Sequence, residues 1–164
     1  MRTRLAGVLK DGLIGGLLAY FAVVVAFAVM NAAQGLSVFH TAAAMGAVLF
    51  RGGDTASVVA LEPGPILAYN AIHLLGSLVV ATAAAFVVFE AEQHHSLWYV
   101  GLMLLIAVGF YAILVFGVAG VEIGGVLGWG TVLVGTAVWV GAMTAYLLGA
   151  HRGLLAGIRA EAAT

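Results

Sequence analysis

The chain has 164 residues, of which 64% are hydrophobic and only 8% charged, so it lacks the polar material to coat a soluble globule. Its formal net charge is −1 with six Lys and Arg, too weak a positive field for phosphate contacts, which excludes a nucleic-acid-binding role. There is no cysteine, which removes disulfides, thiolate metal sites, Cys-ligated iron-sulfur clusters and thioether-linked haem; a cofactor would need His or carboxylate ligands.

Four apolar runs, Gly12 to Met30, Ile66 to Phe89, Leu97 to Val118 and Thr131 to Ala150, contain no Asp, Glu, Lys or Arg. A helix crosses a bilayer core of about 30 Å with about 20 residues, so each run is long enough to span once. The expected fold is all-α: a polytopic membrane protein with four transmembrane helices (about 12–30, 66–89, 97–118 and 131–150) in one bundle over a single domain, 1–164, plus a short interfacial helix (about 41–50) on the outer face. The first run is longer than the 7 to 15 or so residues of a secretory h-region, so it is expected to remain as span one.

Span one opens with Gly12, Gly15 and Gly16, and Asn31, Gln34 and Gly35 supply the chemistry for leaving a helix. Val38 to Phe50 is apolar but too short to span, and reads as an interfacial or re-entrant helix with Thr41 as its N-cap and the pair Gly52 and Gly53 at its end. Arg51, Asp54 and Glu62 mark a loop of both signs, and Pro63 and Pro65 stiffen the entry to span two.

Span two carries His73, the one intramembrane side chain that changes charge near neutral pH, with Tyr69 and Ser77 four residues to either side and Asn70 three before it. Tyr111 of span three is expected at a similar outer-leaflet depth, with Glu122 in the loop above and Asn31 at the same membrane side. The sequence thus predicts an outer-leaflet polar cluster of Asn31, Asn70, His73, Tyr111 and Glu122. Such a cluster fixes helix register through hydrogen bonds, or it holds a ligand: a neutral imidazole suits haem iron, a chlorophyll magnesium or a quinone carbonyl. A bis-His haem within the chain has no second intramembrane His. His94 and His95, beside Glu90 and Glu92, diverge by about 100° on a helix and read as a solvated loop end rather than a metal site.

Span four repeats Ala137, Gly141, Ala145 and Gly149 every four residues, and span one places Gly12 and Gly16 at the same spacing. Small residues so spaced let helix backbones approach closely in lipid, either within the bundle or against another chain. Trp98, Tyr99, Trp129 and Tyr146 fall at the expected membrane interfaces, whereas Trp139 is mid-span and is expected to face lipid or a neighbouring subunit. His151 beside Arg152 reads as a basic cap on span four.

Arg2, Arg4 and Lys10 precede span one, and Arg152 and Arg159 follow span four, so both termini are expected in the cytoplasm, with the chain in a bacterial inner membrane. There is no HExxH, GxSxG or Walker sequence, and no carboxylate within the four charge-free runs, so the chain is not expected to be an enzyme.

The segments GLIGGLLAYFAVVVAFAVMN, VFHTAAAMGAVLF and YNAIHLLGSL together resemble an uncharacterised family of small bacterial four-helix membrane proteins. Thr41, Gly46, Phe50 and His73 look like positions of that family's pattern, while Ala42 stands where the family has Pro and Asn31 where it has Asp. The resemblance implies an outer helix after span one and points to His73; it implies no activity.

The resulting expectation is a non-catalytic accessory subunit that touches lipid and other membrane subunits, in a respiratory or photosynthetic complex. Two alternatives remain open: a cofactor-binding protein using His73, Asn70 and Tyr111 for haem, chlorophyll or quinone, and an oligomeric channel or carrier for small solutes.

Overall fold

The computed structural model describes residues 2–51, 60–93, 127–153 and 156. Among these, four helices form: α1 (Arg2–Ala33), α2 (His40–Arg51), α3 (Pro63–Gln93) and α4 (Trp129–Ala150), with no strand. Three of them, α1, α3 and α4, are long and apolar enough to cross a membrane. The expected third span, 97–118, lies outside the described residues, as do Tyr111, Glu122, Trp98, Tyr99, His94, His95, and the pair Gly52 and Gly53.

The long helices overrun the charge-free segments that announced them. α1 has 32 residues, about 48 Å at 1.5 Å per residue, against a core of about 30 Å. It starts ten residues before Gly12, through a stretch where Arg4 forms an ion pair with Glu90 near the end of α3 and Asp11 lies against His151. Arg4 with Glu90, and Asp11 with His151, make α3 and α4 antiparallel to α1.

α1 is the central element and packs on both α3 and α4, which touch one another little. Its seam with α3 depends on missing side chains. A Cβ on Gly12 would lie 2.6 Å from the Thr82 Cα, and one on Gly16 would lie 2.9 Å from the Leu78 Cα and 3.0 Å from the Ser77 carbonyl oxygen. Backbones this close gain dispersion contacts that bulkier residues would forfeit. α3 answers with Tyr69, Ser77, Ala81 and Ala85, all buried and spaced by multiples of four. Toward α4 the roles reverse: a Cβ on Gly135 would lie 2.8 Å from a ring carbon of Phe27, and Met143 and Leu147 are buried with Val8 and Ala19.

After α1 the chain turns through Gly35 at φ 72°, a left-handed conformation that glycine adopts without a Cβ penalty. The Gly35 N–H donates to the Ala32 carbonyl at 3.0 Å and the Leu36 N–H to the Asn31 carbonyl at 2.9 Å, the two bonds of a Schellman end. Asn31 then docks α2: its Nδ2 donates to the Val38 carbonyl at 3.3 Å, and its Oδ1 accepts from the Thr41 hydroxyl at 3.0 Å. Thr41 is therefore not the expected N-cap; it lies one residue inside α2 and its hydroxyl is taken by Asn31. Gly46 rests on the start of α3, where a Cβ would lie 2.7 Å from the Pro65 carbonyl carbon. Met45 packs with Tyr69, Leu127 and Val132, so α2 bridges the ends of α3 and α4.

The register of α1 against α4 sets depth. Tyr146 meets Asp11 and Gly15, and Gly135 meets Phe27. The 22 residues of α4, about 33 Å, therefore run beside α1 from roughly Asp11 to Ala33, and α1 overshoots the end of α4 by about 14 Å.

Candidate functional site

Two polar clusters lie on this frame. The first forms where α1 and α3 cross. Tyr20 donates its hydroxyl proton to Asn70 Oδ1 at 2.9 Å, while Asn70 Nδ2 donates to the Ile66 carbonyl at 2.8 Å, one turn back along its own helix. The Tyr69 hydroxyl shares a hydrogen bond with His73 Nδ1 at 3.0 Å. The His73 ring sits edge-on between two tyrosines, with centroids 5.6 Å from both Tyr20 and Tyr69. One turn further along α3, the Trp139 indole N–H donates to Ser77 Oγ at 2.8 Å, tying α4 to α3.

Asn70 and His73 thus share a site with Tyr69, as their spacing indicated, and the structure adds Tyr20 from α1. Tyr20 lies nine residues beyond Asp11, about 14 Å along α1, which places this cluster near mid-depth of the segment flanked by α4 rather than toward the Asn31 end. Asn31 belongs to the α2 contact instead. Trp139 does not turn to lipid or another subunit with its polar edge: its N–H is used within the chain. His73 Nε2 has no partner among the described residues, and because Nδ1 is held by Tyr69, the ring's orientation is fixed with Nε2 available.

The second cluster closes the end of the bundle that holds the α1 N-terminus. His151 follows the last residue of α4, its backbone N–H donating to the Leu147 carbonyl at 2.9 Å. Its side chain folds inward instead of capping carbonyls at the surface, and the residue is only 6% exposed. Nδ1 lies 2.9 Å from Glu92 Oε2 on α3, and Nε2 lies 3.3 Å from Asp11 Oδ2 on α1. The Tyr146 hydroxyl donates to the other Asp11 oxygen at 2.9 Å, and the Phe89 ring stands edge-on to the imidazole at 4.7 Å. Nε2 is close to Asp11 in distance but not aligned for a hydrogen bond, so with Thr144 Oγ1 it is one of two buried side-chain polar atoms without a hydrogen-bond partner among the described residues.

The reading of His151 as a surface cap is therefore corrected. Its partners lie far away in sequence, Glu92 by 59 positions, and local patterning carries no trace of them. Asp11, one residue before the first charge-free run, and Glu92, three residues after the second, were the available signal: acids bordering apolar spans.

The small-residue stripe of α4 falls on neither cluster. Ala137, Gly141, Ala145 and Gly149 are exposed, and a Cβ on Gly141 or Gly149 would meet nothing within 4 Å among the described residues. The face of α4 that packs is Gly135, Trp139, Met143 and Leu147. Gly12 and Gly16, by contrast, form the seam with α3 described above.

Among the described residues no group of His, Asp and Glu has the geometry to hold a metal ion. Comparison with protein-family models, curated proteins and solved structures finds no significant match.

Proposed function

We propose that this chain is a non-catalytic subunit of a larger membrane assembly, in a bacterial inner membrane with both termini cytoplasmic. The observation that carries the reading is how polar groups at depth are used: Tyr20 with Asn70 joins α1 to α3 and Trp139 with Ser77 joins α4 to α3, while Tyr69 holds His73 within α3. Polar residues serving this way are register devices, since hydrogen bonds between helices in lipid compensate groups that hydrocarbon cannot. The flat outer face of α4 is where a helix of another subunit fits, since small residues permit close backbone approach.

The absence of cysteine makes a direct test possible. Gly141→Cys is introduced into the full chain in native membranes, labelled with a benzophenone maleimide and photoactivated, with Leu75→Cys on the exposed face of α3 as control. The expected result is a discrete photo-crosslinked product between the labelled Gly141→Cys chain and a second, different polypeptide, absent from the control. A product containing only copies of this chain supports the oligomeric channel reading instead, and no product overturns the subunit reading.

A second reading is favoured by one observation, the availability of His73 Nε2. It makes His73 a ligand to haem or chlorophyll, or a hydrogen-bond donor to a quinone, with Asn70 and Tyr20 beside it. An absorption band or an extractable quinone that disappears on His73→Ala supports it; a colourless, quinone-free preparation disposes of it.

A further inference from the structure

We propose that the His73 site, on the cofactor reading given above, takes a lipid-soluble ring compound through a carbonyl oxygen, the group that quinones carry, and not a metalloporphyrin. The cofactor reading leaves metal ligation and hydrogen bonding both open. The Tyr69 hydroxyl decides between them, by fixing which nitrogen of the imidazole holds the proton.

A neutral imidazole carries one proton, on Nδ1 or on Nε2, and only the nitrogen without it can ligate a metal. Tyr69 Oη lies 3.0 Å from His73 Nδ1, so one of the two donates to the other. Were Nδ1 the donor, the phenolic proton would need a second acceptor, and the Tyr69 hydroxyl forms no other hydrogen bond among the described residues. Tyr69 is only 7% exposed and packs against Met45 of α2. A hydroxyl stranded there is costly, since no water in the hydrocarbon relieves it. With the hydroxyl donating to Nδ1 that cost vanishes, and the imidazole proton stands on Nε2.

Metal ligation through Nε2 requires the opposite arrangement. Histidines bound to metals pass their other N–H to a carboxylate, a backbone carbonyl or water. Tyr69 offers a phenol whose own proton would then be left over. Nε2–H instead suits an acceptor, and a carbonyl oxygen is the acceptor that an apolar ring can bring into a bilayer.

The surroundings agree with a flat ligand. Tyr69 and Ser77 stand one turn to either side of His73, and both turn inward, Tyr69 onto α2 and Ser77 to the indole N–H of Trp139 on α4. The half-buried imidazole between them shares that side of α3, away from the exposed face of Leu67, Ile72, Leu75 and Val79. Tyr20 adds an aromatic ring from α1, its centroid 5.6 Å from the imidazole. Among the described residues α3 and α4 touch one another little, which leaves a gap of the kind a planar ring fills.

The test uses the purified full chain in detergent. Nitrogen NMR of the histidine-labelled chain, with the His73 signals identified by their loss in His73→Asn, reads the tautomer directly. The proton is expected on Nε2 in the ligand-free chain, and Tyr69→Phe is expected to let both tautomers populate. A short-chain benzoquinone is then titrated while tryptophan fluorescence is followed, since Trp139 bonds to α3 one turn from His73; Trp139→Phe serves as the blank. Saturable quenching is expected. His73→Asn keeps an oxygen for the Tyr69 proton where Nδ1 stood but lacks the ε donor, and is expected to weaken the affinity roughly fivefold. His73→Gln restores an amide N–H near the Nε2 position and is expected to stay within about twofold of the unaltered chain. A proton on Nδ1, or a haem or chlorophyll band lost on His73→Asn, overturns the carbonyl assignment and leaves the cofactor reading standing. Quenching that does not saturate, or an affinity equal in the unaltered chain and His73→Asn, also overturns it, and a preparation that is colourless and quinone-free as well takes the cofactor reading down with it.

Discussion

Trp139 on α4 donates its indole N–H to the hydroxyl of Ser77 on α3, at 2.8 Å, across two helices that otherwise have few contacts. Both helices pack on α1, so this bond sets the rotation of one relative to the other. Trp139→Phe and Ser77→Ala are each expected to lower the thermal midpoint of the detergent-solubilised chain, each costing about 1 kcal/mol. A double-mutant cycle is expected to return a coupling of about 0.6 kcal/mol, the usual value between helices in lipid. Strictly additive losses would mean that the bond does not form.

Glycines on α1 and α4 differ in what surrounds them, and substitution should separate them. At Gly16 a side chain runs into the α3 backbone, so Gly16→Leu is expected to cost about 3 kcal/mol by forcing α1 off α3. At Gly141 nothing lies within 4 Å among the described residues, so Gly141→Leu is expected to change stability by less than about 0.5 kcal/mol. Denaturant titration of the purified chain compares the two. If Gly141→Leu leaves the isolated chain stable yet lowers its recovery with partners from native membranes, the α4 face is an assembly surface.

Tyr20→Phe and Tyr69→Phe remove one hydroxyl each from the mid-depth cluster. Asn70 keeps its bond to the Ile66 carbonyl when Tyr20 loses its hydroxyl, so that variant is expected to cost about 0.6 kcal/mol. Tyr69 is buried and holds His73 Nδ1, so Tyr69→Phe frees the ring and is expected to cost more, about 1 to 2 kcal/mol. Thermal midpoints in one detergent rank the two, and equal losses would contradict the arrangement.

Arg4 and Glu90 join the ends of α1 and α3, but their side chains are 35% and 30% exposed. Solvent screening therefore limits the pair, and Glu90→Gln is expected to cost no more than about 0.5 kcal/mol. The difference from the unaltered chain should shrink in about 1 M salt, where the Debye length is about 3 Å. A large, salt-insensitive loss would show a role beyond pairing.

The three described membrane-crossing helices were legible because long apolar runs leave the backbone no satisfied alternative to a helix in lipid. Their ends were not, since a charge-free criterion stops at Asp11 and Glu90, whereas the chain pairs those charges and continues the helix through them. The same limit shaped the sites. Tyr69 and His73 were found together because they stand four apart on one helix. Tyr20, Trp139 and His151 were missed as members because their partners depend on which helices meet and at what height. A mid-span tryptophan reads as lipid-facing until the serine opposite it is known. Thr41 was assigned to its own helix end, although the buried Asn31 competes for the same hydroxyl and wins it.

Of the three long helices described, α4 is the shortest at about 33 Å, close to the ~30 Å of a bilayer core, and α1 runs past its end. Asp11, Glu92 and His151 meet where α4 ends. Thicker bilayers must tilt the helices or carry hydrocarbon over the buried charges, and thinner ones would bring water to them. Acyl-chain length therefore acts on these three residues, and hydrophobic mismatch becomes a lever on how tightly the bundle end is held.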